Sequence, residues 1–438
     1  MQNDQVFENI LNTISNFQLR QAVERLREGL FDPLGVKILT TGESTIQKHF
    51  ETQTENLQNL RPAHLCVCGA YGQGKSHTLN YIRQRALEEN YIVSSINLDP
   101  REVPLHNLKQ LYRSIMENLT FPNNIAVANS DNKGIINKKY NNNSFPDIWK
   151  QSVKTWLLIP KNRGRNVVDM IPEEIPHRFK AILTAMAQQT ESIPNGKSTL
   201  KKYAGFKPKD FPWILLNAFM GKDIPLPLLR NALKYRQVSF YNQESLTCRD
   251  SNIYLEAIKG YGSLFQTMGY KGFVLLFDEA ESIMLSTIRN RSKNYCVLHD
   301  IFCPKKAAKG FLPVFAFTDD FFTYLKNEDF ERTTNIKQQQ EVQIKEIPIF
   351  PINYSNEWNN INIYKLRNLT SKEWHDIILK LIEIHALAYS WKPDVDAAAK
   401  LISSKLLKQS DAESRMKLKL IVNILDIEQQ QRVISKYL

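Results

Sequence analysis

The sequence predicts an α/β protein: a doubly wound parallel sheet with a large, mainly helical insertion and a C-terminal helical lid. Three observations support this fold class. A short apolar run leads into a glycine-rich loop and a helical pattern, and a second apolar run ends in two acids. The third is spacing: Lys75 and Asp278 are 203 residues apart, whereas two strand–helix–strand units of about 30 residues each would connect such strands.

The first strand of the core is predicted at residues 63–68, and it is followed by the loop Gly69-Ala70-Tyr71-Gly72-Gln73-Gly74-Lys75-Ser76 and by His77. The loop matches G-x-x-x-x-G-K-[ST] in full, and a helical pattern follows it. Glycines let successive N–H groups point at phosphate oxygens, and the helix adds its positive end. The sequence therefore predicts a P-loop that binds ATP through residues 69–77, with Lys75 on the phosphates and Ser76 on Mg²⁺.

The second motif follows the apolar run 272–277, which has the composition of a strand buried on both faces. Asp278 is predicted to hold the Mg²⁺ shell and Glu279 to polarise the water that attacks the γ-phosphate. A solvated turn would also place two acids here, but the complete P-loop argues against it. Glu281 has two readings, a member of the site or the first turn of a helix.

A further strand is predicted at residues 312–317, and Thr318 at its end is the candidate sensor of the γ-phosphate. The alternative role for Thr318 is an N-cap of the next helix. Two arginines are candidate catalytic residues. Arg415 begins a predicted lid helix, and Arg332 precedes a predicted strand near 342–349 and could serve a neighbouring subunit's nucleotide. The more common role for either arginine is that of a solvated surface residue.

Positive charge is concentrated in one segment. The formal charge of the chain is +12, and residues 133–209 hold fifteen basic and five acidic side chains. Aromatic residues are interleaved with these cations: Tyr140, Phe145, Trp149, Trp156, Phe179, Tyr203 and Phe206. Cations for phosphates and rings for bases would suit DNA. The alternative is a helical subdomain in which the aromatic residues form a small core.

The composition, 42% hydrophobic and 23% charged, is that of a globular protein. Five cysteines are few for 438 residues, which favours a reducing compartment, and neither a signal peptide nor a membrane span is expected. A cytoplasmic location is predicted. Cys66 and Cys68 alternate in an apolar run and are expected to be buried on one face of the sheet rather than to bind zinc.

The predicted organisation has five parts in chain order: an N-terminal helical lead-in (1–62), the first part of an ATPase core (63–120), the basic insertion (121–250), the second part of the core (251–350) and a C-terminal helical lid (351–438).

The sequence resembles the P-loop ATP-binding proteins of bacteriophage-exclusion (BREX) systems in four stretches. These are Gly69–His77, Leu98–His106, Gly269–Glu281 and the predicted helix from Arg415 to Asp426. Residues 99–106 are the most specific part of the resemblance, and residues 130–210 are the least diagnostic. That family is similar to AAA+ ATPases of the initiator and loader type. The resemblance implies an AAA+-like fold, ATP and Mg²⁺, anti-phage defence, and work on DNA or beside a helicase or methyltransferase partner.

Three function classes follow from these observations. The first is an ATP-hydrolysing protein of a DNA-targeting defence system, which could form homo-oligomers. The second is a slow nucleotide-dependent switch or scaffold that regulates a partner without binding DNA. The third, a P-loop kinase, is disfavoured because kinases rarely need an adjacent pair such as Asp278 and Glu279. Turnover with and without DNA would separate the first two classes.

Overall fold

The computed structural model describes residues 11, 14–30, 33–40, 43–122, 145–188, 210–241, 244–248, 250–330, 353–407 and 413–437. Six strands are present in this part of the chain: β1 (Leu65–Cys68), β2 (Tyr91–Asn97), β3 (Leu119–Thr120), β4 (Gly272–Asp278), β5 (Phe311–Phe317) and β6 (Ile363–Lys365).

The helices before β4 are α1 (Asn16–Glu28), α2 (Pro33–Leu39), α3 (Glu43–Gln58), α4 (Lys75–Glu88), α5 (Leu108–Glu117), α6 (Phe145–Leu158), α7 (Val167–Met170), α8 (His177–Ala187), α9 (Phe211–Phe219), α10 (Leu226–Tyr235) and α11 (Asn252–Thr267). Those after β4 are α12 (Ile288–Phe302), α13 (320–330), α14 (Tyr354–Glu357), α15 (Ser371–Tyr389), α16 (Val395–Leu407) and α17 (Ser414–Tyr437). Short 3₁₀ helices cover Pro160–Asn162, Glu244–Leu246 and Ala280–Leu285. Of the described helices, none combines the length and the apolarity needed to cross a membrane.

The strands form one sheet in the order β3-β2-β4-β5-β1-β6, in which β2 and β3 are antiparallel and all other neighbours are parallel. The mixed α/β class and the mostly parallel sheet are confirmed. Because the strands are parallel, β1, β4 and β5 end at the same edge of the sheet, where ligands of such folds bind. Strand β5 lies between β1 and β4, so the segments after these three strands are neighbours.

The sheet is covered on both faces, which explains why its strands are apolar throughout. Leu65 and Val67 of β1 face a core shared with α2, α3 and α4, whereas Cys66 and Cys68 face the opposite core. Both thiols are buried as predicted, and burial raises the pKa of Cys68 to about 12. At that pKa the thiol stays protonated and packs as a small apolar group.

The two ends of the chain share a third core, formed by α1, α2, α15, α16 and α17. Helix α1 begins at a capping box of Ser15 and Gln18 and ends at Gly29, whose φ of 74° is left-handed. Helix α15 begins at a second capping box, of Thr370 and Glu373. The predicted lid helix from Arg415 is α17, which begins one residue earlier and runs further, to Tyr437.

The insertion packs against α5 and α11 in the same core as one face of the sheet. Phe145, Trp149 and Phe179 are buried there, and the Trp149 indole N–H donates to the carbonyl of Leu183 at 2.8 Å. The idea that these three rings could stack on bases is therefore wrong, because they are buried in the core that the insertion shares with one face of the sheet. Tyr140, Tyr203, Phe206 and the strand predicted near 342–349 lie outside the described residues.

Candidate functional site

The P-loop connects β1 to α4, and its conformation depends on glycine at two positions. Gly72 and Gly74 have φ values of 73° and 105°, in the left-handed region where a Cβ atom is strained. The loop also needs room at Gly69, where an added Cβ would lie 2.7 Å from the Gln73 Oε1 atom. Gln73 Oε1 accepts from the Ala70 N–H at 2.7 Å, which fixes the curl of the loop. Helix α4 then begins at Lys75, with its N-terminus at the loop.

Lys75 lies folded against its own loop. Its side chain is only 8% exposed, and Nζ donates to the carbonyl oxygens of Gly69 at 3.1 Å and Ala70 at 3.3 Å. Glu281 Oε1 is 3.8 Å from the same nitrogen. The ammonium group is therefore held at the mouth of the loop by three oxygen atoms, and a phosphate would compete with them for its protons.

The acids after β4 lie at the adjacent strand end. The Asp278 carboxylate accepts from the Glu279 N–H at 2.9 Å, and the Asp278 carbonyl accepts from the Leu98 N–H at 3.0 Å. Glu279 is exposed and has a φ of 54°, so the chain turns sharply here. This turn starts the 3₁₀ helix that carries Glu281 back toward Lys75.

Tyr71–Thr78, Asp278, Glu279 and Glu281 line a cavity of about 390 Å³, a size within the usual range of ligand pockets. Residues from the two ends of the chain form the rest of its wall, and most of them are apolar. They include Leu26, Val36, Leu39, Ile46, Tyr364, Leu369, Ile377 and Leu418. A polar phosphate end and an apolar end suit a nucleotide, because the flat faces of its base pack well against apolar side chains.

His77 connects the P-loop to this apolar wall. Its Nε2 atom is 2.9 Å from the hydroxyl of Thr40, which follows α2 and itself donates to the Val36 carbonyl at 2.5 Å. Burial lowers the pKa of His77 to about 4, so the ring is neutral at pH 7 and donates through Nε2. The predicted binding residue thus serves to hold α2 against the loop.

Residues of the predicted lid line the cavity on the other side. Glu413 and Arg415 both line it, and an added Cβ on Gly72 would lie 2.5 Å from the Glu413 side chain. Gln73 donates to Asn368 at 3.0 Å, and the Leu366 N–H donates to the Cys68 carbonyl at 2.7 Å. Arg415 therefore lies where a basic side chain can face a bound nucleotide.

The other predicted site residues lie elsewhere. Thr318 directly follows β5, its carbonyl accepts from the Phe321 N–H at 3.1 Å, and it is not part of the cavity wall. Arg332 lies outside the described residues. Asp99, in the stretch most specific to the family resemblance, accepts from the N–H groups of Arg101 and Glu102 at 2.7 and 2.9 Å and so forms an Asp-Pro turn.

Sequence reasoning missed Glu413 and the apolar wall from α1, α2 and α3. These residues carry no motif, and only their meeting in space makes them part of a site.

The site offers oxygen donors, which suit Mg²⁺: the Ser76 hydroxyl and the Asp278 carboxylate line the cavity together. Glu281 adds a buried carboxylate oxygen, Oε2, that has no hydrogen-bond partner among the described residues. No three His, Cys, Asp or Glu side chains of the described chain converge closely enough to hold a metal ion. A magnesium ion here would take most of its ligands from phosphate and water, as this ion commonly does.

Fold and site together define a P-loop-like nucleotide-binding protein. The family model described as "BREX system ATP-binding protein BrxC/D" matches residues 14–128 and 247–436, which is more than half of the chain. The chain therefore belongs to the BREX system ATP-binding protein BrxC/D family, as the sequence resemblance indicated. No curated protein and no solved structure matches the chain.

Proposed function

We propose that this chain is an AAA+-like, magnesium-dependent ATPase of its defence system. One observation carries the proposal: Lys75 and the pair Asp278–Glu279, 203 residues apart in sequence, line one cavity at the carboxyl edge of the sheet. The P-loop supplies N–H groups and an ammonium for the phosphates, and β4 supplies acids for the metal and the water. The family membership supports ATP as the nucleotide.

Each residue has a separate task in this proposal. Ser76 and Asp278 would hold Mg²⁺, which would neutralise charge on the phosphates. Lys75 binds the β- and γ-phosphates. Glu279 accepts a proton from the attacking water, and its exposed position leaves it free to reach a water in the cavity. Arg415 on the lid would meet the γ-phosphate. Thr318 remains a candidate sensor of the γ-phosphate, because it follows β5, which lies between β1 and β4.

Two substitutions test the assignment. Lys75→Ala should abolish ATP binding in titration calorimetry. Glu279→Gln should keep ATP binding and lose about a hundredfold or more in kcat, because a positioned general base contributes about 10²- to 10⁴-fold. Glu102→Gln, an exposed acid at the same edge of the sheet, is the matched control. Unchanged affinity in the first variant or full turnover in the second would contradict the proposal. Very slow turnover in the wild type would favour the nucleotide switch.

A second candidate function, binding to DNA, is favoured by one exposed surface of the insertion. This surface, the basic turn, lies at the end of α6 and consists of Lys150, Lys154, Leu158, Ile159, Lys161, Arg163 and Arg165. Its five cations are all exposed, and none of them forms an ion pair within the described residues. No acid occurs between Asp147 and Asp169. The surface therefore suits a polyanion.

Asn162 makes the basic turn rigid. The buried side-chain amide of Asn162 donates to the Trp156 carbonyl at 3.0 Å, and the backbone N–H of the same residue donates to the Ile159 carbonyl at 2.8 Å. Leu158 at the tip is 82% exposed beside the cations. An exposed apolar residue flanked by cations fits the edge of a groove, where cations contact phosphates and the apolar side chain contacts sugars and bases.

Salt dependence of DNA affinity tests this candidate. Binding should weaken with salt at a slope of about −0.7 to −0.9 per neutralised phosphate. Reversing Arg163 and Arg165 to Glu should weaken binding to every sequence and flatten that slope. Reversing Lys305 and Lys306, two exposed cations before β5, makes the same change in net charge and should have little effect. Negligible DNA binding, or equal effects of the two double variants, would favour a partner-docking role for the insertion.

A further inference from the structure

Glu281 is an acid of the site to which the reaction just proposed gives no task. It lies in the 3₁₀ helix Ala280–Leu285, two residues after Glu279. The helix is fixed at this place because the Ser282 hydroxyl donates to the Leu98 carbonyl at 2.9 Å and the Ser282 N–H donates to the Glu279 carbonyl at 2.9 Å. Its position is therefore set by the end of β2 as well as by β4.

The surroundings of the Glu281 carboxylate are unusual for an acid. The side chain is 23% exposed, Oε1 lies 3.8 Å from Lys75 Nζ, and the buried Oε2 accepts no hydrogen bond from any described residue. Burial raises the pKa of Glu281, a hydrogen bond from its own backbone N–H and the charge of Lys75 lower it, and the charges of Asp278 and Glu279 raise it. A carboxylate that is mostly buried and has one oxygen without a hydrogen bond is stabilised strongly by a nearby cation, here Lys75.

The same ammonium is the group that the phosphates require. Lys75 Nζ already donates to two carbonyl oxygens of the P-loop, so its remaining proton is the one that Glu281 and a phosphate oxygen would share. Glu281 also repels a phosphate that approaches Lys75, and Asp278 and Glu279 add to this repulsion. A divalent cation between the acids and the phosphates would offset it.

We infer that Glu281 is a positioning residue that acts through Lys75 and makes nucleotide binding depend on a divalent cation. This inference rests on the proposed assignment of the cavity to ATP. In the absence of Mg²⁺, the Glu281 carboxylate competes with the phosphates for the ammonium and repels them. In its presence the competition is weakened, so that Glu281 aligns Lys75 at modest cost to ATP affinity.

The test compares ATP affinity in Mg²⁺ and in EDTA, measured by titration calorimetry without any turnover assay. A single charge within about 4–6 Å shifts an ionisation equilibrium by roughly one to three powers of ten, and partial exposure screens the effect. Glu281→Gln should therefore bind ATP about tenfold or more tightly in EDTA, with a smaller change in Mg²⁺. The ratio of the two affinities should fall accordingly.

Two further variants make the result decisive. Glu88→Gln removes an acid from the far end of α4, where it pairs with Arg85, and should keep the wild-type ratio. Glu281→Asp keeps the charge but withdraws it from Lys75, and should give an intermediate ratio even if the Gln variant does not fold. Wild-type ratios in the Gln and Asp variants, or weaker binding in both buffers, would overturn the inference. If the wild-type chain binds no ATP in either buffer, the assignment of the cavity fails instead.

Discussion

The contact between α1 and α17 gives the most quantitative prediction. Arg27 donates to the Asp426 carboxylate twice, from Nε at 2.9 Å and from Nη2 at 2.8 Å, and the two side chains are 30% and 22% exposed. His385 Nε2 donates to the same carboxylate at 2.9 Å, because its Nδ1 accepts from the Trp391 indole at 2.9 Å. The four side chains connect the two ends of the chain.

Arg27→Ala should lower the free energy of unfolding by about 1–3 kcal/mol, because it removes two charge-assisted hydrogen bonds to Asp426 and leaves that carboxylate with His385. The variant also removes the hydrogen bonds from Arg27 to Glu24 and Tyr389. The larger cost of about 3–5 kcal/mol applies to fully buried pairs, and this pair is partly exposed. Arg113→Ala breaks a pair with Glu117 whose side chains are 51% and 42% exposed, and should cost only about 0–1 kcal/mol. Arg27→Lys, which cannot donate from two nitrogens, should be intermediate.

Chemical denaturation of the wild type and the three variants measures this loss of stability. Titration with ATP shows whether the substitution also affects the cavity. Helix α1 ends at Gly29, where an added Cβ would lie 3.3 Å from the Arg415 side chain, and Leu26 and Gly29 both line the cavity. Looser packing of α1 on α17 should therefore also weaken ATP binding. The reasoning is refuted if Arg27→Ala costs no more than Arg113→Ala, or if the destabilised variant binds ATP with unchanged affinity.

Two more predictions concern the lid. Gly72→Ala should destabilise the protein by about 1–2 kcal/mol, since Gly72 has a left-handed φ of 73°; the contact of its new Cβ with Glu413 should add to this. Glu413→Ala should relieve only that contact. In thermal unfolding, the double variant Gly72→Ala with Glu413→Ala should therefore lose less stability than the sum of the two single variants, and strict additivity would contradict this explanation. Second, hydrogen bonds from Arg367 lower the pKa of Glu373 to about 2. A depressed pKa stabilises the fold above the unfolded value of about 4.5 and ceases to do so as pH falls toward 2. The stability difference between wild type and Glu373→Gln, measured by denaturation, should thus be constant above about pH 5 and shrink below it; a difference that grows on acidification would contradict the assignment.

Local patterns were sufficient for the parts of the site that lie within one stretch of chain. A P-loop needs glycines at fixed positions and a lysine at the start of a helix, so eight consecutive residues, 69–76, identify it. The strand before Asp278 was recognisable because a strand buried on both faces is apolar throughout. Neither signal depends on distant parts of the chain.

The basic segment shows how a local pattern misled. Phe145, Trp149 and Val153 recur every four residues on the buried face of α6, and Lys150, Lys154 and Leu158 recur every four residues on its exposed face. In the linear sequence, aromatic and basic residues alternate. On a helix of 3.6 residues per turn, the same residues separate into a buried face and a solvent-exposed face.

Glu281 and the apolar wall of the cavity could not be predicted from local patterns. The contact between Glu281 and Lys75 depends on β5 lying between β1 and β4 and on the turn at Glu279. The hydrophobic periodicity of a sequence does not determine the order of strands in the sheet. The wall depends on two chain ends that pack together although they are almost 400 residues apart.

The residues that line the cavity all lie within the segments that match the family model. Every residue that the structure places in the cavity wall lies between Leu26 and Tyr81 or between Asp278 and Leu418, and thus within the two matched segments. The basic turn lies in the unmatched segment between them. Among the described residues, the cavity is therefore formed only by the part of the chain that fits the family description, and the basic turn lies outside that part. If both proposals hold, the reversal of Arg163 and Arg165 should accordingly weaken DNA binding and leave ATP affinity unchanged.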